Sequence, residues 1–260
     1  MSEKELALVT PENYYDEPYH MSVSRFKRYD KCEVDGKLGG DYEVSVAMQI
    51  GSYVDSWLEG TLDKFKEENP DIISSRGATK GQLKSDFKMA DEICDFIKND
   101  RNLSQFLSGE KQTIMTGEIE DIPFKIKMDS YHKGKAIVDL KVMRTITDKD
   151  GKYIDFISMW GYDIQLACYQ EIVYQNTGER LPCYIAVVTK ETPFDSAIIQ
   201  IPQSILNQAL GYVQMKIKRY YDVMMGEEVP MGCGHCATCK TQRVVTPIIS
   251  MRELMGERMD

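Results

Sequence analysis

Residues 127–143 read KMDSYHKGKAIVDLKVM, and this stretch decides the predicted fold. Its second half, AIVDLKV, is largely apolar, as expected of a strand buried in the middle of a sheet. Asp129 ends the strand before it, and the residues 132–134 (HKG) form the turn between the two strands. Because side chains alternate along a strand, we expect Asp139 and Lys141 to point to the same face of one β-hairpin.

The residue types on this hairpin suit the hydrolysis of a phosphodiester. Two carboxylates that a hairpin brings together are good ligands for a hard cation such as Mg²⁺ or Mn²⁺. A neighbouring lysine can hold a water or stabilise charge on a phosphate. The Asp-x-Lys pattern also occurs at residues 35–37 and 150–152, in glycine-containing loops, so it is weak by itself. An ion pair on an edge strand is the alternative interpretation of Asp139 and Lys141.

The remaining periodicity predicts an α/β protein with a mixed sheet of about five strands flanked by helices. Helices are predicted over 24–32, 46–66, 81–99, 160–176 and 203–225, strands over 112–143 (three short ones), 183–189 and 196–202, and a glycine-rich loop over 33–45. We expect one nuclease domain over 1–260. It comprises an arm and first helix (1–45), a core (46–225) and a cysteine-containing segment (226–260).

Composition and charge limit the classes of function. The net charge of −9 argues against a protein that simply coats DNA, which would normally be basic. It leaves open an enzyme that binds DNA locally through a few cations and a metal-loaded acidic site. Apolar runs fall short of the roughly 20 residues that span a bilayer, and the first 20 residues lack the pattern of a signal peptide. We therefore expect a cytoplasmic protein without membrane contact.

Five segments occur in the order expected of one nuclease family. They are YHMSVS at 19–24, IGSYVD at 50–55, KMD at 127–129, VDLK at 138–141, and Gln165-x-x-x-Tyr169. This ordered set resembles the RecB-like branch of the PD-(D/E)XK nuclease superfamily, whose core is that of the restriction endonucleases. The resemblance is closest to the RecE-type (exodeoxyribonuclease VIII) phage exonucleases.

The resemblance implies a role for each matched residue. The metal ligands would be Asp129, Asp139 and the Leu140 carbonyl, Lys141 would orient the attacking water, and Gln165 and Tyr169 would brace the lysine and contact DNA. Asp55 stands where the family usually has histidine. Aspartate is a better ligand than histidine for Mg²⁺, although an exposed helix residue is the alternative. Glu118 and Glu120, in and before the preceding turn, are outside candidates.

The implied function is metal-dependent DNA exonuclease activity, 5′ to 3′ on duplex DNA in phage-type recombination. RecE-type enzymes form rings, so a homo-oligomer (a trimer or tetramer) and a single-strand annealing protein are the implied partners besides DNA. One rival is an iron–sulfur RecB-like nuclease that acts on single strands. A second rival is a non-catalytic DNA- or metal-binding module with a degenerate site.

Three cysteines lie within seven residues near the C-terminus: Cys233, Cys236 and Cys239. This C-x₂-C-x₂-C spacing lets three thiolates face one metal centre. The fourth ligand would be Cys32 or His235. The first choice resembles RecB-like nucleases in which one N-terminal and three C-terminal cysteines hold a 4Fe–4S cluster. Zn²⁺ and unliganded thiols are the alternatives. Core positions are expected for Cys94, Cys168 and Cys183.

Two groups of basic residues are candidates for contact with DNA phosphates. Lys80, Lys84 and Lys88 repeat every four residues after Arg76, which predicts one basic stripe on the second helix. A solvated helix face is the alternative. The second group is Arg25, Lys27, Arg28 and Lys31 on the first helix.

Overall fold

The computed structural model describes residues 8–40, 44–243 and 250–255. Its helices are α1 (Val23–Lys31), α2 (Glu33–Leu38), α3 (Val46–Glu59), α4 (Leu62–Glu68), α5 (Ser85–Asn99), α6 (Arg101–Phe106), α7 (Phe156–Trp160), α8 (Tyr162–Thr177), α9 (Gln203–Met225), α10 (Ala237–Thr241) and α11 (Met251–Leu254). Its strands are β1 (Thr113–Ile119), β2 (Ile122–Met128), β3 (Ser130–His132), β4 (Ala136–Met143), β5 (Cys183–Thr189) and β6 (Ser196–Ile201).

The central sheet has four strands in the order β3-β4-β5-β6. The pair β4–β5 is parallel, and the two outer pairs are antiparallel. A parallel pair needs a crossover connection, which α7 and α8 supply here. The strands β1 and β2 form a separate antiparallel ribbon. The predicted α/β fold with a mixed sheet flanked by helices is confirmed.

Helices cover both faces of the central sheet, which explains why β4 and β5 are so apolar. Ile137 and Ile185 belong to the core shared with α1, α8 and α9. Val138 and Leu140 belong to the core shared with α3 and α5. Since side chains alternate, Asp139 lies on the same face as Ile137 and points toward α8.

The predicted hairpin is interrupted at Asp129. The strand β2 ends at Met128 and pairs with β1, whereas β3 begins at Ser130 and pairs with β4. The partners of β3 on β4 are residues 136–138, so β3 leaves the edge of β4 unpaired beyond Val138. The ladder hydrogen bonds stop at this point, and polar side chains can reach the edge.

Several predicted boundaries differ from the structure. The helix expected over 46–66 is divided at Gly60, which has a left-handed φ of 79° and caps α3. The glycine-rich stretch 33–45, predicted as loop, begins with α2. The helix expected from residue 81 begins at Ser85, because a turn with Gly81 at φ 83° precedes it. Among the residues that the structure describes, no helix is long and apolar enough to cross a membrane.

Candidate active site

Asp139 lies at the floor of the candidate site, with 1% of its surface exposed. Its Oδ1 accepts a hydrogen bond from Gln165 Nε2 at 2.8 Å. Its Oδ2 forms an ion pair with the Lys141 ammonium but makes no well-aligned hydrogen bond within the described part of the chain. A buried carboxylate oxygen with spare acceptor capacity is a suitable ligand for a cation.

Asp129 reaches the open edge of β4 from the break between β2 and β3. Its Oδ2 accepts a hydrogen bond from the Leu140 backbone N–H at 2.9 Å. The N–H and C=O groups of a strand residue point to the same side, so the Leu140 carbonyl also faces Asp129. This edge therefore presents a carboxylate and a backbone carbonyl together.

Asp55 approaches the same point from α3 and lines the same cleft as Asp129. Burial and the charge of Asp129 raise the pKa of Asp55 well above its ordinary value. Burial also raises the pKa of Asp139 to about 7, with Asp129 adding to the rise and Lys141 opposing it. Three carboxylates held this close repel one another, and a bound cation would relieve that repulsion.

Lys141 is the cation of this group. Burial alone would lower its pKa, but the charges of Asp139 and Asp129 raise it above its ordinary value, so the ammonium form persists. Its Nζ also lies 5.0 Å from the ring centroid of Tyr162, a cation–π distance. The predicted Asp-x-Lys pair thus occurs as a largely buried ion pair on an inner strand of the sheet, not as a solvated edge-strand pair.

Gln165 links the Asp139 carboxylate to Tyr169, which lies one turn further along α8. Its Nε2 donates to Asp139 Oδ1 and to the hydroxyl of Tyr169, at 2.8 and 2.9 Å. Tyr169 is 7% exposed, and burial raises the pKa of its phenol. The resemblance implied that this pair braces the lysine, whereas in the structure it holds the carboxylate that pairs with Lys141.

Two polar residues beside the site were not predicted from the sequence. Gln112 has a φ of 49°, a left-handed conformation that is uncommon for a residue other than glycine. Its Nε2 lies 3.4 Å from Asp129 Oδ1, and its buried Oε1 has no hydrogen-bond partner among the residues that the structure describes. The same holds for the buried Nζ of the adjacent Lys111. No motif or periodicity marks these residues, because only the backbone path turns them toward Asp129.

A cleft of about 1270 Å³ opens onto Asp55, Asp129, Gln165 and Tyr169. Its lining comes from the N-terminal arm, α1, α3, α4, β2 and the α7–α8 junction. The cations along it are Lys27, Arg28, Lys31, Lys64 and Lys127. Lys27, Arg28 and Lys31 belong to the basic group predicted on the first helix. The five cations together place positive charge beside the carboxylates of an otherwise acidic protein.

The other predicted basic group lies elsewhere. Arg76, Lys80, Lys84 and Lys88 are exposed, and none of them lines the cleft. They do not form one helical stripe, because α5 begins at Ser85 and the residues before it form a turn with a 3₁₀ segment over Gly77–Thr79. The prediction of a stripe on one helix was therefore wrong.

Glu118 and Glu120, the outside candidates for metal ligands, lie at the wrong end of the β1–β2 ribbon. Thr113 pairs with Met128 next to the site, whereas Ile119 pairs with Ile122 at the turn. Six residue steps separate the two ends, or about 20 Å. Neither glutamate can share a cation with Asp129.

The four cysteines of the predicted cluster meet at one point. The Sγ atoms of Cys32, Cys233, Cys236 and Cys239 lie within 4.8 Å of one another. Backbone N–H groups of the C-terminal segment donate to the sulfurs, for example Cys236 N to Cys233 Sγ at 3.3 Å. Hydrogen bonds from the backbone lower the pKa of Cys233, which favours its thiolate form. Four sulfurs at these separations can surround one metal centre.

The alternative fourth ligand, His235, is exposed and directs Nδ1 to the carbonyl oxygen of Cys233. Ion pairs hold the cysteine segment against the body of the protein. Glu33, next to Cys32, pairs with Arg219 of α9 at 2.8 Å and accepts from the Met231 N–H at 2.7 Å. As predicted, Cys94, Cys168 and Cys183 are buried in the two cores.

Comparisons with known proteins agree with this arrangement. The model of a family described as "PDDEXK-like domain of unknown function (DUF3799)" matches residues 22–242. A crystal structure named "Putative exonuclease", from Eubacterium rectale, is 46% identical in sequence, with a TM-score of 0.86. The match covers 95% of this chain and 98% of that one. The search of curated proteins returned no match.

Proposed function

We propose, on the premise that this chain belongs to the family of PDDEXK-like domains, that it hydrolyses DNA from strand ends in a reaction that depends on a divalent metal. One observation carries the proposal: Asp129, Asp139 and Lys141 converge where β3 leaves the edge of β4 open, with Asp55 on the other side. The printed name of the Eubacterium rectale structure supports the exonuclease part.

The residues present fit a hard divalent cation. Asp55, Asp129, Asp139 and the Leu140 carbonyl offer oxygen ligands alone, the kind that Mg²⁺ and Mn²⁺ prefer. When bound, the metal would polarise the phosphate and activate a water. Burial, and then the charge of Asp129, raises the pKa values of Asp55 and Asp139, and a bound cation would favour the charged form of both carboxylates.

The protein's own groups would supply positioning and charge. Lys141, held in its ammonium form by Asp139, would orient the attacking water and stabilise negative charge on the phosphate. Gln165 would fix the Asp139 carboxylate, and Tyr169 would fix Gln165. Lys27, which lines the cleft, is a further candidate for contact with the phosphates.

The finer assignments rest on the resemblance to RecE-type exonucleases. They are 5′ to 3′ action on duplex DNA, a role in phage-type recombination, a ring-shaped trimer or tetramer, and a single-strand annealing partner. The rival is an iron–sulfur RecB-like nuclease that acts on single strands. A degenerate, non-catalytic module is disfavoured because Asp139 pairs with Lys141 and Asp129 accepts from the N–H of Leu140, which lies between that pair in the chain. A single nuclease domain over 1–260 stays a prediction.

The cysteine cluster would hold a structural metal centre. Zn–S bonds of about 2.3 Å put the sulfurs of a tetrahedral site roughly 3.8 Å apart. The separations of 3.5 Å for Cys32–Cys239 and 3.7 Å for Cys32–Cys236 suit such a site. A 4Fe–4S cluster is the alternative. Visible absorption and metal analysis of anaerobically purified protein would separate iron from zinc, and a colourless, metal-free sample would contradict both.

The test of the nuclease proposal uses end-labelled linear DNA, single- and double-stranded, with Mg²⁺. We expect wild-type protein to release nucleotides from linear DNA and to spare closed circles of the same sequence. Asp139→Ala should abolish the activity, whereas Asp150→Ala, which changes the exposed Asp-x-Lys copy in a loop, should not. Absence of degradation of every substrate would refute the enzyme, and cleavage of closed circles would refute the exonuclease.

A further inference from the structure

Two exposed aromatic side chains stand at the cleft. Tyr15, from the N-terminal arm, is 74% exposed, and Trp160, the last residue of α7, is 56% exposed. Both line the cleft that contains the candidate active site, as do the exposed Met48 and Met159. Exposed apolar residues that are gathered in one cleft indicate a binding surface, whereas single ones scattered on the surface do not.

The arm that carries Tyr15 is fixed by a buried charge network. Lys125, 2% exposed, donates from Nζ to the backbone carbonyls of Tyr14 and Glu17 and pairs with the Glu17 carboxylate. The His20 backbone N–H donates to the same carboxylate at 2.9 Å. Burying such charges is costly unless they are paired, so this network holds the arm in one position.

The ring of Tyr15 is oriented by its neighbours. The Tyr14 ring packs edge-on against it at a centroid distance of 5.3 Å. Lys127 Nζ donates to the Tyr15 hydroxyl at 2.9 Å and lies 4.8 Å from its ring centroid. A ring that is held on one side and exposed over three quarters of its surface is a preformed platform for another flat group.

Trp160 is placed by the junction between α7 and α8. Phe156 anchors α7 in the core, Gly161 turns the chain at a φ of 62°, and α8 begins at once. Lys27 Nζ donates to the Trp160 carbonyl at 2.6 Å. The indole is therefore five residues before Gln165, on a junction that α1 holds in place.

We propose that Tyr15 and Trp160 are stacking platforms for unpaired bases, so that DNA reaches the carboxylates as a single strand. This inference rests on the proposed nuclease function and, of the duplex and single-strand substrates considered above, it selects the single strand. The bases of a duplex are stacked on one another, and only unpaired bases offer a face to an aromatic ring. Charge supports this occupant, since the exposed Lys31 lines the same cleft, as does the exposed Lys64, which pairs with Glu68 at 3.8 Å.

The chain offers a direct optical test of this stacking. It contains two tryptophans, Trp57 and Trp160, so a Trp57→Phe variant reports on Trp160 alone. Binding is measured with Ca²⁺ in place of Mg²⁺, using a 12-nucleotide thymidine oligomer. The comparison ligands are an abasic oligomer of equal length and a blunt-ended hairpin duplex. We expect the thymidine oligomer to quench the fluorescence of Trp160 and the other two ligands to leave it nearly unchanged.

Substitutions separate stacking from general apolar contact. Trp160→Leu and Tyr15→Ala should each weaken binding of the thymidine oligomer by roughly 5- to 150-fold, the range of a base–aromatic stack. Trp160→Phe should retain most of the affinity. Tyr153→Ala is the matched control, because Tyr153 is 75% exposed and does not line the cleft. Affinity for the abasic oligomer should stay within twofold in every variant.

Equal quenching by the hairpin duplex, or unchanged affinity in Trp160→Leu and Tyr15→Ala, would overturn the inference. So would wild-type protein that binds no single-stranded oligomer. Failure of the nuclease proposal is a different result. If the protein shows the expected quenching but degrades no DNA with Mg²⁺, the stacking inference stands and the nuclease proposal fails.

Discussion

The substitution Gln165→Leu tests the link between α8 and the buried carboxylate. Leucine is close to glutamine in size, so the helix can keep its packing, but the variant loses the donor to Asp139 Oδ1 and to Tyr169. A hydrogen bond to a charged group contributes about 1.5–3 kcal/mol. Converted at 1.36 kcal/mol per tenfold, this predicts a loss of roughly 10- to 150-fold in metal affinity, in the rate of the chemical step, or divided between them.

Two measurements separate those effects. Calorimetric titration of Mn²⁺ into the protein gives the metal affinity without any DNA. Single-turnover degradation of end-labelled DNA at saturating Mg²⁺ gives the chemical step after the metal site is filled. The loss of affinity should be the larger effect, because Gln165 contacts a proposed ligand and not the reacting atoms.

Gln170→Leu is the matched control on the same helix. Gln170 is 2% exposed and donates to the Leu181 carbonyl at 2.8 Å and to Gln203 at 2.9 Å, away from the carboxylates. It should lower the melting temperature at least as much as Gln165→Leu and leave metal affinity and rate unchanged. If Gln165→Leu stays within twofold of wild type in both assays, the proposed role of this hydrogen bond is refuted.

Three further outcomes follow from the structure. In chelated protein, the stability that Asp139 contributes should be lost as pH rises from about 4 to about 7, because the folded state holds its proton more tightly than the unfolded chain does, so the melting temperature of Asp139→Asn should rise relative to wild type over this range. Adding Mg²⁺ should raise the melting temperature more at pH 8 than at pH 5, and an equal rise at the two pH values would contradict this. Cys32→Ser should release the metal of the cysteine centre and lower the melting temperature, whereas Cys94→Ala should keep the metal by elemental analysis. Gln112→Gly should stabilise the fold by roughly 1 kcal/mol, because it relieves a left-handed backbone, but it should weaken Mn²⁺ binding. Glu120→Gly is the control: Glu120 has a φ of 51°, and its replacement should change stability alone.

The local signals in the sequence predicted most of the elements. The helix expected over 203–225 and the strand over 183–189 have the observed bounds, because each has a strong periodicity or apolar run between turn residues. The break at Asp129 was not predicted. Side chains alternate in the same way before and after Asp129, so the pattern gives no sign of a break. The chain pairs with β1 before Asp129 and with β4 after it, and this change depends on how the strands assemble.

The candidate site was also predicted from the sequence only in part. Asp139, Lys141 and Gln165 belong to a local motif, and the structure brings them together. The basic residues required tertiary information. The sequence named two groups of cations and could not choose between them, because the packing of the helices decides which face turns toward a cleft. Lys27, Arg28 and Lys31 of α1 line it, whereas Arg25 and the group around Lys84 do not. Gln112 depends on a backbone conformation that its residue type does not indicate.

The helix α1 joins the cysteine centre to the cleft. Its N-terminus is capped by the Ser22 side chain, its C-cap is the cluster residue Cys32, and between them Lys27 holds the Trp160 carbonyl. A helix moves as a unit, because every turn is hydrogen-bonded to the next. Anchoring Cys32 through a metal would therefore also restrain Lys27, and with it the junction from which α8 carries Gln165 to Asp139. On this argument, the proposed metal centre would take no part in the chemistry and would still set the precision of the site.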